Sequence, residues 1–536
     1  MSVLPFLVVA AAAGAGSLLV RGQRGWSAAI AAIGLFVMAV LAASFGSAAT
    51  VAVGGTTLVA SDWLRLYALL GSVVGLVLVA VDAATAREPD VPGVIVVGLG
   101  AAVLALALPE PGVAVVAATA GGLTGVLVAA PVGAAARAAS VGVRELRAIA
   151  VAGALAMIAT AWLARPLGDL VATPALLGLA YVAFAVAVAI RFGAIPFHLW
   201  AARVADAAPG AALPLLLGWA PAALAAVALV WIDGSVAPLA LDLGAEQTLI
   251  AAIGAFTIVL GLVAAWIQDD LEHVVGYTIV ADAGFVVLGL AAFDPAVWGP
   301  SRTWILVFLV GRSAFAAFAV AIHGGFGTRR LPELAGWARR APALAIGLVA
   351  IAVAAIGWPG LVAWDARRAL AELALPAGVA TLIAIAPVGA TAIYARLLWI
   401  GIQVPGSAVR AGATERPVWP ASLLHRPMVG LGTAERLLER VGHAFAAVLD
   451  VLWATPAAIR LNRVPLVSIL VLVLASLAIA VSGGGLGVPA AARAVPVVDG
   501  GTGGAPGASS GPPSSVAPGD TPGFTFQPVD GASAAP

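Results

Sequence analysis

Five ionisable side chains stand inside or beside long apolar stretches of this sequence: Arg191, His198, Asp282, Arg312 and Arg367. An ionisable group in an apolar segment is costly, so it is expected to line a polar pathway or to pair with an opposite charge. A carboxylate or an imidazole in such a place can take up and release a proton. An Arg stays protonated and can only shape the local electric field. These residue types therefore indicate proton transfer or buried ion pairing.

Two of the arginines stand beside interruptions of their apolar segments. Arg191 is followed by Pro196, and Arg367 follows Pro359, which is flanked by glycines. A proline breaks a helix and frees backbone groups that then need polar partners. Two interrupted helices in corresponding positions of two half-structures indicate a transport site. The alternative is that each proline is a packing kink and that Arg191 and Arg368 extend toward the surface.

Asp282 and Arg312 fall within two successive apolar segments. Opposite charges on adjacent buried helices predict an ion pair, since either charge alone would be expensive. A proton-carrying role for Asp282 is the alternative. His198 could titrate near neutral pH, although we expect a hydrogen-bonded core histidine at that position.

These residues are positioned by apolar runs of about 20 residues, the length that crosses a bilayer. The runs are apolar throughout, and polar residues do not alternate with apolar ones. They are therefore helices and not barrel strands. They predict an all-α polytopic membrane protein with about fourteen spans. Numbered in order, spans 1 to 14 are 3–20, 26–49, 63–81, 91–108, 113–132, 146–164, 170–190, 211–232, 248–267, 274–293, 303–322, 341–361, 375–400 and 466–481.

The composition agrees with a membrane protein. Of 536 residues, 62% are hydrophobic and 10% charged, which excludes a water-soluble globular fold. The 27 basic residues nearly balance the 26 acidic ones, so no nucleic-acid partner is expected. There is no Cys, no phosphate-binding loop and no metal-spaced His pair, so no cofactor or metal site is predicted. All 27 basic residues are Arg, and Lys is absent.

Most of the arginines fall in loops that follow odd-numbered spans. The excess of positive charge on the cytoplasmic side of membrane proteins places these loops in the cytoplasm. Both termini are then at the outer face of the inner cell membrane. Residues 401–464 form a polar loop. Within it, 434–452 has helical apolar spacing and is either an amphipathic helix on the cytoplasmic surface or a solvated connection. The last helix lies within 465–485, and 486–536 is a disordered Gly/Pro/Ser tail.

Three motifs resemble those of a known family. Residues 191–209 are similar to Lys-x-Gly-Ala-Val-Pro-Phe-His-x-Trp-Leu-Pro-Asp-(x)3-Ala-Pro, and 268–285 to Gln-x-x-Leu-Lys-Arg-Leu-Leu-Ala-Tyr followed by a Gly-Tyr ending. The segment around Pro359 is similar to Ala-Gly-Ile-Pro-x-x-x-Gly-Phe-x-Gly-Lys. These are motifs of the antiporter-like membrane subunits of respiratory complex I and of multi-subunit cation/proton antiporters. Among them, the form at Arg191 most resembles the N-type subunit of NADH:quinone oxidoreductase.

This resemblance implies two inverted five-helix repeats, 91–232 and 248–400, after N-terminal helices within 1–108. It also implies proton translocation beside other membrane subunits, with no redox cofactor in this chain. The family carries protons through a Glu on its fifth helix and Lys residues on helices 7, 8 and 12.

Several of these proton carriers are replaced here. The family's Lys positions fall on Arg191, Pro221 and Arg367, and span 5 contains no acid. The Lys-Arg pair before the tenth helix becomes Glu272-His273, and Asp282 replaces a His or Gln. Arg does not release its proton and Pro carries none, so the usual lysine relay is expected to be lost.

Three hypotheses follow. The chain is a membrane-arm subunit of a complex I-like oxidoreductase that takes part in proton translocation. Alternatively, it is a non-pumping scaffold of such a complex, or an antiporter-like subunit of a cation/proton antiporter or a membrane-bound hydrogenase.

Overall fold

The computed structural model describes residues 1–85, 92–129, 136–162, 174–237, 242–403 and Ile469. Nearly all of these residues are helical, and the only strands among them form one short antiparallel hairpin. In chain order the elements are α1 Leu4–Leu19, α2 Arg24–Ala43, β1 Thr50–Val53, β2 Thr56–Val59, α3 Asp62–Thr85, α4 Pro92–Ala107, α5 Pro111–Ala129, α6 Ala136–Trp162, α7 Pro174–Phe192, α8 Leu199–Ala207, α9 Ala220–Trp231, α10 Gly244–Ile267, α11 Leu271–Ala291, α12 Trp298–Phe326, α13 Trp337–Arg340, α14 Pro342–Ile356, α15 Val362–Ala374, α16 Ala377–Ile385 and α17 Ala390–Ile402.

Eight helical segments in the described ranges are long and apolar enough to cross a bilayer. Four shorter apolar helices accompany them, among them α1 and α4. The prediction of a predominantly helical membrane protein is therefore confirmed. The eight segments are Arg24–Ala43, Asp62–Ala84, Pro174–Phe192, Gly210–Gly234, Gly244–Ile267, Leu271–Ala291, Pro295–Phe326 and Ala377–Ile402.

The centre of the molecule is formed by α11 and α12, which other helices surround on nearly every side. Helix α10 packs closely along α11, where Gly284 allows the two backbones to approach each other. A Cβ atom at Gly284 would lie 2.7 Å from the Gly254 carbonyl oxygen. Small residues permit this kind of contact in membranes, where van der Waals packing drives helix association. Asp282 and Arg312, the charges in the middle of α11 and α12, are buried in protein.

Both predicted helix breaks are present. After α7 the chain turns at Gly193, whose φ of +63° suits a residue without a Cβ atom, and Pro196 lies in the bend before α8 begins. After α14 it turns at Gly357, with φ of +57°, and Pro359 lies in an exposed bend before α15. The prediction ran span 12 through to residue 361, whereas α14 already ends at Ile356.

Three sequence predictions about elements were wrong. Helix α6 begins at Ala136 and not at residue 146, so a stretch assigned to a loop is helical. Its first turns are polar, which lowers the hydropathy on which the span was based. Span 2 was extended to residue 49, but α2 ends at Ala43 and the β hairpin follows. Span 13 is divided into α16 and α17 by a short 3-10 segment, Ala386–Gly389, that contains a proline.

The predicted amphipathic helix at 434–452 and the tail at 486–536 lie outside the described residues. So does span 14, apart from Ile469. That residue is helical and buried, and its Cδ1 atom lies 3.2 Å from where a Cβ of Gly347 on α14 would stand.

Candidate functional site

A buried ion pair joins the two central helices. Arg312, at the midpoint of α12, donates from Nε to Oδ2 of Asp282 on α11 over 2.6 Å. Its Nη1 atom donates to the Tyr394 hydroxyl of α17 over 2.7 Å. The Trp304 indole donates to the Asp282 carbonyl oxygen. The predicted ion pair is therefore present, and hydrogen bonds to three helices hold the guanidinium and carboxylate in place.

Arg367 lies near this pair but makes its hydrogen bonds elsewhere. It is fully buried on α15, and its Nη2 atom donates to the carbonyl oxygens of Ile356 and Gly357 at the end of α14. A cation is favourable at a helix C-terminus, where carbonyl groups lack intrahelical partners. The guanidinium also faces the rings of Phe285 and Trp304 at 5.9 and 5.4 Å. Arg367 therefore holds the second helix break together.

A second pair of opposite charges lies in the first half of the chain. Arg191, in the last turn of α7, and Glu145, on α6, are both buried and interact electrostatically. Both side chains lie over a glycine face of α5. A Cβ atom at Gly122 would stand 2.9 Å from Arg191 Nη2, and one at Gly125 would collide with Glu145 Oε1. The two glycines thus make room for the charged groups.

The contacts of this pair differ from those of Asp282 and Arg312. Within the described residues, Oε2 of Glu145 and Nη1 of Arg191 are buried without a hydrogen-bond partner. Glu145 and Arg191 therefore interact through the attraction of their charges, whereas Asp282 and Arg312 are also joined by a direct hydrogen bond.

The sequence analysis missed Glu145 because its segment had been assigned to a loop. A signal was available in the spacing of the small and apolar residues that follow it. The buried positions of α6 recur every three or four residues, and Glu145 falls in that series. Among the α6 side chains that the structure describes, the buried residues are Val141, Gly142, Glu145, Ala148, Ile149, Ala152, Gly153, Ala156, Ala159 and Thr160.

His198 stands at the first helix break, immediately before α8, and is partly buried. Its ring lies 6.4 Å from the ring of Tyr277 on α11, measured between centroids. Its Nδ1 atom is buried and has no hydrogen-bond partner among the described residues. At this atom His198 differs from the hydrogen-bonded core histidine expected from the sequence. Pro221 lies buried at the start of α9.

A cluster of charged groups forms where the loops after spans 7, 9 and 11 meet. His273 Nε2 lies 3.3 Å from Asp206 Oδ1, and His273 Nδ1 lies 3.4 Å from Asp270 Oδ1. Arg329 places Nε 2.7 Å from Asp270 Oδ2 and Nη1 2.7 Å from Glu272 Oε2. We call these five residues, together with Arg203 and His323, the loop cluster.

The remaining contacts of the loop cluster tie α11 to its neighbours. His323 Nδ1 lies 3.1 Å from Glu272 Oε1, and Asp270 caps α11 by accepting from the backbone N–H groups of Glu272 and His273. Burial raises the pKa of Asp270, but the hydrogen bonds from His273 and the charge of Arg329 outweigh that effect and lower it. The sequence predictions included none of these contacts, and those with Asp206, His323 and Arg329 join segments that are far apart along the chain.

Residues 149–393 match the protein family described as "NADH:quinone oxidoreductase/Mrp antiporter, TM". This confirms the resemblance to antiporter-like membrane subunits. Similar curated sequences include NADH-quinone oxidoreductase subunit N of Thiobacillus denitrificans, 27% identical over 199 residues, which are 37% of this chain and 41% of that protein. The same subunit of Sphingopyxis alaskensis is 29% identical over 198 residues, 36% of this chain and 40% of that protein. The chain thus aligns with about two fifths of the length of these relatives.

Chains of several solved membrane complexes share the fold. A chain of the archaeal membrane-bound sulfane sulfur reductase matches with a TM-score of 0.65 at 13% identity, covering 88% of this chain and 99% of that one. A chain of the Mrp complex from Dietzia gives 0.62 at 18%, covering 90% and 94%. A chain of respiratory complex I from Thermus thermophilus gives 0.61 at 16%, covering 87% and 99%.

The matched stretch, residues 149–393, contains all five ionisable residues singled out in the sequence and both helix breaks. Glu145 lies just before its first residue. The charge pair of the first half therefore joins a residue inside the matched region to one outside it.

Proposed function

We propose that this chain is a membrane-arm subunit of an NADH:quinone oxidoreductase-like complex and takes part in proton translocation coupled to electron transfer. The supporting observation is a buried carboxylate–arginine pair in each half of the chain. The pairs are Glu145 with Arg191 and Asp282 with Arg312. The first pair contains Arg191 in the last turn before a helix break, and the second interacts with Arg367, which binds the end of α14 at the other break. Charge pairs in such places are expected on a membrane transport path. The chain binds no redox cofactor in this proposal and depends on other membrane subunits to be driven.

The proposal includes the finer architecture. Fourteen spans would contain inverted repeats at 91–232 and 248–400, after N-terminal helices within 1–108. The loop at 401–464, a last helix within 465–485 and the tail at 486–536 would follow. The protein would lie in the inner cell membrane with both termini outside. Contacts between loops support the grouping on which this sidedness depends. Leu271 N donates to the Arg329 oxygen among the loops after odd-numbered spans, and Trp63 Nε1 donates to the Arg302 oxygen among the others.

Proton transfer in this proposal depends on carboxylates and not on lysines. Arg191 and Arg367 keep their protons and supply fixed positive charge. Protonation of the Asp282 carboxylate would break its short hydrogen bond from Arg312 and leave the buried guanidinium without a counter-ion. Glu145 can exchange a proton without breaking a hydrogen bond to Arg191. We therefore assign the proton-carrying role to Glu145 and a structural role to the Asp282–Arg312 pair.

The test is to purify the tagged chain with its partners from its own membrane and to reconstitute the assembly in vesicles. We expect the co-purified proteins to include the other membrane subunits of a complex I-like enzyme. Oxidation of NADH by a quinone should then be accompanied by proton uptake. Electron transfer without proton movement would contradict the proposal.

A scaffold role is the second candidate, and two observations favour it. Arg367 is engaged as a helix cap, and Pro221 stands where the family has a lysine. A scaffold would be required for assembly, yet variants of Glu145 would leave the protons moved per electron unchanged. Membership of a cation/proton antiporter or a membrane-bound hydrogenase would be revealed by different co-purified subunits.

A further inference from the structure

We propose that the loop cluster is the site at which protons enter the chain from the aqueous phase, with the imidazole of His273 as the group that binds them. The inference rests on the proposed function, because a proton intake has a use only in a subunit that moves protons. Its starting observation is that a carboxylate oxygen lies near each ring nitrogen of His273, and that the buried Nδ1 atom makes no hydrogen bond in the described part of the chain. Asp206 lies 3.3 Å away on one side and Asp270 3.4 Å away on the other.

This geometry suits a ring that gains and loses a proton. A neutral imidazole carries one N–H group and can satisfy one of the two carboxylates, whereas the imidazolium carries two and can satisfy both. When a proton arrives from hydronium, an N–H bond forms on the unprotonated nitrogen and a water molecule is released. When the proton moves on, that N–H bond breaks and a new bond to hydrogen forms on the acceptor, a water molecule or the Nδ1 atom of His198. No electron is transferred in either step.

The charges around His273 leave room for one proton. The count includes the charged groups on each element that packs against the His273 ring. With both histidines neutral, the loop cluster holds three carboxylates and two guanidinium groups, which is one negative charge in excess, and a single imidazolium balances it. The groups are Arg203 and Asp206 on α8, Asp270, Glu272 and Tyr277 at the start of α11, His323 on α12, and Arg329 in the loop after α12.

His273 is accessible to water and lies against α8, which follows the first helix break. Its side chain is 16% exposed, so water reaches the ring while the surrounding protein shields its charge. Tyr277 stands four residues further along α11 and therefore on the same face of the helix. The Tyr277 ring lies beside that of His198, whose buried Nδ1 atom is without a partner in the described part of the chain. Tyr277 therefore links His273 to His198 at the first helix break.

Two variants separate proton binding from simple cross-linking of helices. His273→Gln is neutral and cannot bind a proton. His273→Arg keeps a permanent positive charge that can still contact both carboxylates, but it cannot release a proton. Arg330→Gln is the control, because Arg330 is an exposed residue on the same surface. The assembled complex is reconstituted in vesicles, and proton uptake is measured during NADH oxidation. Infrared difference spectra between about pH 5 and about pH 8 then follow imidazole protonation.

We expect both His273 variants to take up protons about tenfold more slowly or worse, and to lose an imidazole band that Arg330→Gln retains. Normal uptake in His273→Arg would overturn the proposal, since His273 would then act only as a cross-link. An unchanged band in His273→Gln would also overturn it. If the unaltered complex moves no protons, the proposed function fails, and the infrared band alone decides whether His273 binds a proton. If His273→Gln does not assemble, His273→Arg provides both readouts.

Discussion

Removing one member of the central ion pair should cost far more stability than removing both. The perturbation is Asp282→Leu, Arg312→Met, and the two together. Both side chains are at most 5% exposed, so each single variant leaves a charge in the core without its partner. The double variant leaves apolar side chains of similar volume in a core that is already apolar.

The magnitude follows from this burial. Breaking a buried ion pair by removing one partner costs about 3 to 5 kcal/mol, whereas replacing the whole pair by apolar residues is often close to neutral. Arg312 keeps its hydrogen bond to Tyr394 in the Asp282 variant, so that variant should fall near the lower end of the range. Arg367 also interacts with Asp282, so we expect the double variant to cost about 1 kcal/mol.

The assay is unfolding of the full-length chain in mixed detergent micelles, followed by tryptophan fluorescence across a denaturant series. Each single variant should lose about 3 kcal/mol or more, and the double variant should recover most of that loss. The resulting coupling energy would be several kcal/mol. Single variants that each cost less than about 1 kcal/mol, or costs that simply add, would refute a structural role for the pair.

Three further predictions test other parts of the structure. Gly125→Ala should displace the Glu145 carboxylate and lower proton uptake in reconstituted vesicles. The control is Gly112→Ala on the same helix, whose new methyl group meets no atom closer than 3.9 Å, and which should leave proton uptake unchanged. Arg367→Met removes the cap of α14 and should lower the free energy of unfolding by about 1 to 3 kcal/mol. Arg367→Lys should restore part of this loss in the same denaturant titration. Equal losses in the two variants would contradict the capping role. The pKa of Asp270 is lower when folded, so its contribution to stability is present above its unfolded value of about 4 and is lost as the pH falls through the folded value. Asp270→Asn should therefore flatten the acid side of the stability curve, and an unaltered curve would count against this pairing.

Much of the fold could be predicted from the sequence because lipid imposes simple rules. Long apolar runs must be helices, and Asp282 and Arg312 stand out because they interrupt such runs. Their pairing could be predicted because the two runs are consecutive. The break at Gly357 was signalled by the glycines that flank Pro359.

Other features could not be predicted by the same rules. Glu145 was missed because the start of α6 is polar, and a hydropathy criterion begins a helix only where apolar residues accumulate. The helix-capping role of Arg367 depends on where the chain returns after a bend, which the spacing of residues does not define. The contact of His273 with Asp206 joins residues more than 60 positions apart, and each of the two residues alone has the appearance of an ordinary loop charge.

The central claim is that Glu145, and not a lysine relay or Asp282, carries protons through this chain. The most direct measurement is the number of protons taken up per electron by vesicles that contain the assembled complex. Glu145→Gln preserves the shape of the side chain but removes its ability to ionise, and Asp282→Asn is the matched change in the second half. We expect Glu145→Gln to lower the protons moved per electron and Asp282→Asn to leave the ratio unchanged. An undiminished ratio in Glu145→Gln would contradict the claim.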